Sequence, residues 1–568
     1  MIAKILRGEG LILAALLILA LGLFVFPLGL LARVGVMAEG APSLAPLLEA
    51  LASRSVQRAL WHSLESAAVS ACGALVIGTV MAMAIGMTDI RAKGVFVFVL
   101  LLPMMIPPHV TAIAWIQALG PASPVLNALG VAPEIGSTHP LYSAAGVMLL
   151  LTLQHAPLVF LVVLAALRAL PREMSEAARL AGARPLRLLT RILLPLLAPS
   201  LLGAYALAFV SALGNFGIPA LLGIPARYTT LPVLIWQRLS SFGPSVLTDV
   251  AVISLLLAVL AVAVLALQMA VQRRMRRQLI GPPQPPMHVA LGQGRWMAEA
   301  GLGAYALATL ALPLAALFAT ALVRTYGLPL NAESLTFDNF SEILLRQGVT
   351  LRAFANSTLT AGMAALMLAL LAALLSYYLT NRHRGGMRRA ATGVAVLADV
   401  CYAIPGLVIS IAFILAFIRP LPLIGVSLYN TLGIIFLAYV TAFFSIALKP
   451  VAAAYAQLDP SLDDAARVSG AGFTRRIRRI FLPLVAPAAA SGAILVFLTA
   501  YNEVTVSALL WSSGHETIGT TIFNYEDGGY TTLAAAMSSV TVVVTIGLMA
   551  ALDRLGRRLP PGVVPWRL

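Results

Sequence analysis

The chain is a succession of apolar runs, each about as long as a bilayer is thick, separated by short segments that carry most of its charge. A helix needs about 20 apolar residues to cross the hydrocarbon. Twelve runs meet that length. Six lie near residues 10–32, 61–87, 95–119, 141–167, 199–223 and 246–270, and six near 298–323, 355–380, 391–417, 431–448, 488–511 and 533–552. Hydrophobic residues make up 60% of the 568 and charged residues 11%, against roughly 25% charged in a soluble domain. The expected fold class is therefore all-α and polytopic, with the bilayer as solvent. The run from Gly10 to Leu31 follows Lys4 and Arg7 as a signal peptide would. It is long enough to span and ends in no clear small-residue cleavage site, so it reads as a first transmembrane helix.

The net charge of +16 does not point to nucleic acid. The arginines sit in short clusters between apolar runs, without interleaved aromatics, and the positive-inside rule accounts for them. With a cytoplasmic N-terminus, twelve spans place about 29 of the 38 basic residues inside and about 9 outside. The C-terminus is then cytoplasmic too. Cys72 and Cys401 lie alone in separate runs, so neither a disulfide framework nor a metal cluster follows.

The chain repeats itself. Glu176-Ala177-Ala178-Arg179-Leu180-Ala181-Gly182, then Ile192-Leu193-Leu194-Pro195, is matched by Asp464-Ala465-Ala466-Arg467-Val468-Ser469-Gly470, then Ile480-Phe481-Leu482-Pro483. The offset is 288 throughout. Upstream, Ile106-Pro107 matches Ile404-Pro405 at an offset of 298, the difference falling in an external loop. Six helices per repeat is an even number, so the halves are parallel and related by a pseudo-two-fold axis along the membrane normal. The expected division is a first half over 1–277, a Pro/Gly-rich cytoplasmic linker over 278–297 containing Gly281-Pro282-Pro283-Gln284-Pro285-Pro286, and a second half over 298–568.

The matched segments, 172–197 and 457–486, are too charged to span and fall on the cytoplasmic side. Each reads as a short helix with acid in its first turn, a glycine turn at Gly182 or Gly470, and a second short helix that ends where Pro195 or Pro483 joins the next span. One such loop could be an amphipathic segment resting on anionic lipid. Two with identical Gly and Pro spacing argue for a shared task.

Glu-Ala-Ala, three residues, Gly, nine residues and Ile-x-Leu-Pro resembles the EAA signature of permeases in binding-protein-dependent ABC importers. The first loop matches it fully; the second puts Asp464 in place of Glu. The resemblance covers both halves, and the fused form is similar to the ferric-iron permease group, with thiamine, polyamine and 2-aminoethylphosphonate relatives. It implies a type I importer permease fold in a bacterial inner membrane and alternating access powered by two copies of a cytoplasmic ATPase. It also implies solute delivery by a periplasmic binding protein, with ferric iron the favoured cargo. Coupling to the ATPases would fall to Glu176, Ala177, Ala178 and Gly182 in one loop and Asp464, Ala465, Ala466 and Gly470 in the other. ATP and Mg would bind the partner, because Lys4, Lys93 and Lys449 are the only lysines and none follows a glycine as a P-loop requires. No cofactor or metal is expected on this chain, and it is not expected to be an enzyme.

Polar groups inside spans are candidates for the translocation pathway. Asn215 lies in the predicted fifth helix and Asn502-Glu503 in its repeat partner, with Asn215 aligned to Glu503. Glu503 serves a cationic solute, a gate or a helix contact. Pro107-Pro108-His109 and Pro405-Gly406 are expected to break the third helix of each half, either exposing backbone to a pathway or shaping packing. His109 is a ligand or a structural histidine. An ion-coupled secondary transporter also uses parallel repeats but has no need of paired coupling loops, and a membrane-embedded enzyme lacks a catalytic cluster here.

Overall fold

The computed structural model describes residues 2–564 other than 39–40, 135, 169, 171–175, 177, 179, 183–184, 242, 244, 276–288, 380–384, 421–424, 460, 557, 559 and 561–562. The principal helices of the first half are α1 (Gly8–Gly35), α2 (Arg54–Met87), α3 (Lys93–Met105), α4 (Pro108–Leu119), α5 (Ala144–Arg168), α6 (Leu189–Leu213), α7 (Leu231–Leu239) and α8 (Val246–Met275). Those of the second half are α9 (Gly292–Ala321), α10 (Gly348–Leu379), α11 (Gly386–Ala403), α12 (Gly406–Phe417), α13 (Leu432–Gln457), α14 (Phe473–Tyr501), α15 (Ile518–Asp527) and α16 (Thr531–Gly556). Ten helices are long and apolar enough to cross a membrane, and twelve spans result when α3–α4 and α11–α12 each count as one bent span. The architecture is all-α, two parallel six-span repeats, with a minor hairpin pairing Met37–Ala38 with Ala41–Pro42. Leu11, Ile18, Val76, Leu267, Leu307 and Leu366 are 63–73% exposed along the spans, an apolar surface suited only to lipid.

Close approach of backbones organises each half. The second span is the hub: α2 packs on α5 and α6, and α10 on α13 and α14. Ala67, Ala71, Ala74, Gly78 and Ala82 are buried on α2 at helical spacing, the small-residue face that lets membrane helices approach. A Cβ on Gly78 would lie 2.7 Å from the Ala156 carbonyl oxygen and 2.7 Å from Val159 Cβ. The first span of each half leans on the other half. Among its contacts, α1 meets α11 and α12, with Phe26 against Phe417, while α9 meets α3 and α4.

The fifth spans correct the expectation. They occupy 189–213 and 473–501 rather than 199–223 and 488–511, so the second short helix of each charged loop is the start of the span itself. Pro195 and Pro483 do not end a helix. Each follows a π-turn, Leu189–Leu193 or Ile477–Phe481, whose wider turn makes room for a residue without an N–H. Pro27 and Pro313 follow π-turns at Leu21–Val25 and Leu307–Ala311 in the same way, extending the repeat to the first spans at an offset of 286.

The Gly281–Pro286 run of the linker lies outside the described residues. Beyond it, Val289 N–H donates to the Met87 carbonyl (2.7 Å) and Leu291 N–H to Asp89 Oδ1 (2.9 Å), while Arg91 N–H donates to Glu299 Oε1 (2.8 Å). The Leu291 N–H holds the Asp89 carboxyl below its ordinary range. Helical structure resumes at Gly292, six residues before the predicted start of the second half.

Replacing Gly78 with Val should lower stability by about 1–3 kcal/mol through overpacking against α5. Thermal unfolding of the purified protein in detergent checks this; an unchanged midpoint would mean that α2 and α5 are free to part.

Candidate functional site

The second charged loop is described almost completely. Ser461–Val468 forms a helix with Asp463 and Asp464 in its first turn. It closes on Gly470 at φ +75°. Ala471 N–H donates to the Ala466 carbonyl (2.9 Å) and Gly470 N–H to that of Arg467 (3.0 Å), the paired bonds of a Schellman end, which require a left-handed residue at the glycine. Gly182 has the same conformation, φ +79°. Of the first-loop candidates, Glu176 and Gly182 are exposed, Ala178 is half-buried, and Ala177 lies outside the described residues. In the second loop Asp464, Ala465 and Gly470 face outward, whereas Ala466 is buried against the protein's own helices. One outward-facing pair has no counterpart among the residues the sequence singles out. Leu180 and Val468 occupy equivalent positions and are each 90% exposed. An apolar side chain held that far into solvent at the same position of both loops is suited to a groove on a partner.

The third spans are broken as expected, by 99° between α3 and α4 and 112° between α11 and α12. Pro107 and Pro405 have nearly identical backbones, φ −55° ψ 139° and φ −54° ψ 140°. Two prolines in succession leave carbonyls without helical donors, a cost hydrocarbon cannot relieve. Gln154 Nε2 donates to the Pro103 carbonyl (3.1 Å), and Asn502 Nδ2, from the other half, to that of Met105 (3.1 Å). The reciprocal contact is close too: a Cβ on Gly214 would lie 3.1 Å from Pro405 Cβ. The end of each fifth span thus sits on the break of the opposite third span. His109 is fully buried beside the backbone of Gly217.

Asn215 and Glu503 lie just beyond the fifth spans rather than within them, because α6 is capped at Gly214 and α14 at Asn502. Their side chains do the same work. Ile218 N–H donates to Asn215 Oδ1 (3.2 Å), and Val506 N–H to Glu503 Oε1 (2.7 Å), with Ser507 N–H on Glu503 Oε2 (3.1 Å). Each turns the chain into a buried segment leading to α7 or α15. Serines of the second spans hold those helices at their starts: Leu231 N–H donates to Ser63 Oγ (2.7 Å) and Ile518 N–H to Ser357 Oγ (2.9 Å). Trp236 on α7 and Phe523 on α15 are repeat equivalents and meet edge to face, centroids 5.8 Å apart, with Phe216 5.2 Å from Phe523. Val504, Leu407, Val233, Ala220 and Ala508 complete an apolar cluster drawn from both halves. The pseudo-two-fold axis runs through this plug. The sequence does not single out Trp236 and Phe523 because both lie between the apolar runs, in segments that read as loops.

The family model described as the binding-protein-dependent transport system inner membrane component matches residues 74–277 and again 365–564, together most of the chain. The chain belongs to this family. It is the permease of an ABC importer, an integral protein of the inner membrane. A probable ABC transporter permease of Sinorhizobium fredii is 24% identical over 536 residues, covering 90% of this chain and 89% of the relative. A ferric transport system permease of Actinobacillus pleuropneumoniae is 24% identical, covering 80% of this chain and 64% of its own. A putative 2-aminoethylphosphonate transport system permease of Salmonella paratyphi A is 28% identical, covering 40% of this chain and 79% of its own.

Within this permease, Glu503→Ala should cost about 1–3 kcal/mol by stranding two backbone donors. Glu503→Gln, which keeps one acceptor, should cost less and retain uptake. If Gln abolished uptake at unchanged thermal stability, Glu503 would be a ligand for a cationic solute instead.

Proposed function

We propose that this chain is the membrane channel of an importer that carries ferric iron to the cytoplasm, driven by two copies of a separate ATPase. Binding would occur at the loops around Gly182 and Gly470, with Leu180 and Val468 entering grooves on the two ATPases. Closure of the ATPases around ATP and Mg would draw the loops together. Each loop leads into a fifth span that ends against the opposite third-span break and the Trp236–Phe523 plug, so loop movement would reach the midline through one helix. The pair of glycine-closed turns with equivalent exposed apolar residues is the observation that carries this reading. Both termini would be cytoplasmic, a periplasmic binding protein would deliver the solute, and the chain would hydrolyse no ATP itself. Site roles proposed for Glu176, Ala178, Asp464 and Ala465 rest on their place in those turns.

The ferric transport relative supports iron, and the aminoethylphosphonate relative supports a second cargo of opposite charge. Uptake of radiolabelled ferric iron and of 2-aminoethylphosphonate into proteoliposomes, with ATPase and binding protein present, separates the two. Uptake persisting without ATP would instead indicate an ion-coupled secondary transporter.

Gly182→Trp and Gly470→Trp place a bulky L-residue at positive φ on the docking surface. Each should leave the protein inserted and ATP hydrolysis measurable while uptake falls at least about tenfold, a coupling loss of about 1.4 kcal/mol or more. The two losses should be unequal, because the second loop carries Asp464 and the run Arg475, Arg476, Arg478 and Arg479. Normal uptake in both variants would count against the coupling assignment.

A further inference from the structure

The two coupling loops differ in what stands behind them. Under the second loop, Arg476 is fully buried, and Asp463 and Glu9 are each 2% exposed. Arg476 Nη1 donates to Asp463 Oδ1 (2.7 Å) and Nη2 to Glu9 Oε1. Arg467 Nε donates to Asp463 Oδ2 (2.9 Å), and its Nη2 lies 3.6 Å from Glu9 Oε1. The Tyr378 hydroxyl donates to the Glu9 backbone carbonyl (2.8 Å), while Tyr377 packs edge to face on Phe473 and Phe481. Two guanidiniums and two carboxylates therefore close a neutral network between α1 of the first half and the coupling helix of the second. Buried ions bound in this way resist separation, since parting one pair leaves an uncompensated charge out of water.

Among the described residues the first half has no equivalent, and in sequence Ser175 stands where the second half has Asp463. Leu188 stands at the position of Arg476 and is itself buried, and Arg295, at the repeat position of Glu9, pairs with Asp89 and Glu299 instead. The sequence alone gave no sign of a contact between residues 467 positions apart.

We propose that the Glu9–Arg476–Asp463–Arg467 network is a latch that makes the second coupling loop and α1 move as one body, so that one of the two ATPases drives the opposite half directly as well as its own. Glu9, Asp463 and Arg476 are positioning residues: they act through the loop and touch neither ATP nor cargo. The proposal rests on the coupling role given to the loops above. It implies that the first loop shifts relative to α9 during the cycle while the second stays fixed to α1.

Two spin-label pairs at repeat-equivalent sites test this in the permease assembled with its ATPase, in a background lacking Cys72 and Cys401. Leu11→Cys with Ser469→Cys reports on the latched side, and Met297→Cys with Ala181→Cys on the other. Pulsed dipolar distances are compared without nucleotide and with vanadate-trapped ADP. The Leu11–Ser469 distance should be the same in both states, and the Met297–Ala181 distance should change. Adding Glu9→Gln or Arg476→Leu should make the Leu11–Ser469 distance change as well, and Arg476→Lys, which keeps the charge, should restore its constancy at least in part. Glu9→Gln preserves side-chain shape and carries the test if Arg476→Leu fails to insert. A Leu11–Ser469 distance that changes in the unaltered network, or that stays fixed in Glu9→Gln, overturns the latch. An ATPase that binds equally well after Leu180→Asp and Val468→Asp overturns the coupling role and the latch with it; loss of binding there with a variable Leu11–Ser469 distance overturns the latch alone.

Discussion

A peptide group without a hydrogen-bond partner cannot be carried into hydrocarbon cheaply, and the centre of this permease is organised by that constraint. The third spans are cut by prolines, and beyond the fifth spans the chain is irregular before α7 and α15. Every such interruption frees backbone groups. Gln154 and Asn502 answer carbonyls on the first-half break, Asn215 and Glu503 answer amides beyond the fifth spans, and Ser63 and Ser357 answer the first amides of α7 and α15. Because Asn502 reaches across to Met105, and Gly214 lies against Pro405, the repair of one half depends on the other. The irregular backbone ends up around the pseudo-two-fold axis, which is where a transporter built from repeats places its pathway.

The charged loops obey the opposite rule. They are polar enough to meet water, and each turns at a glycine of positive φ. The fifth spans beyond those turns are single helices, kept continuous past Pro195 and Pro483 by a π-turn. Under the proposed coupling role, a helix that runs from the loop to the apolar cluster would convert a displacement at one end into a displacement at the other, without a chain of intermediate contacts. Symmetry is incomplete, however. Phe216 faces Phe523 where the second half offers Val504, and Ser175, Leu188 and Arg295 stand where the ion network of the second loop has Asp463, Arg476 and Glu9.

The sequence displayed its periodic and local features plainly. Span number, the parallel repeat, the breaks at Pro107 and Pro405 and the turns at Gly182 and Gly470 all follow from residue type at fixed spacing, and the structure has them. The fifth spans were misplaced because proline was read as a terminus, a reading that holds only when no π-turn precedes it. Asn215 and Glu503 were read as pathway candidates inside a helix; as backbone caps they lie just outside one. Contacts such as Glu9 with Arg476 and Trp236 with Phe523 join distant parts of the chain, and no local pattern announces a long-range pair.

The central claim is that nucleotide drives the two loops toward each other and that this movement reaches the plug. Spin labels at Ala181→Cys and Ser469→Cys, equivalent exposed positions on the two turns, measure the first step directly in the assembled transporter. The account predicts a shorter interloop distance when ATP is trapped than when nucleotide is absent. An interloop distance that stays the same while the ATPase turns over would contradict it.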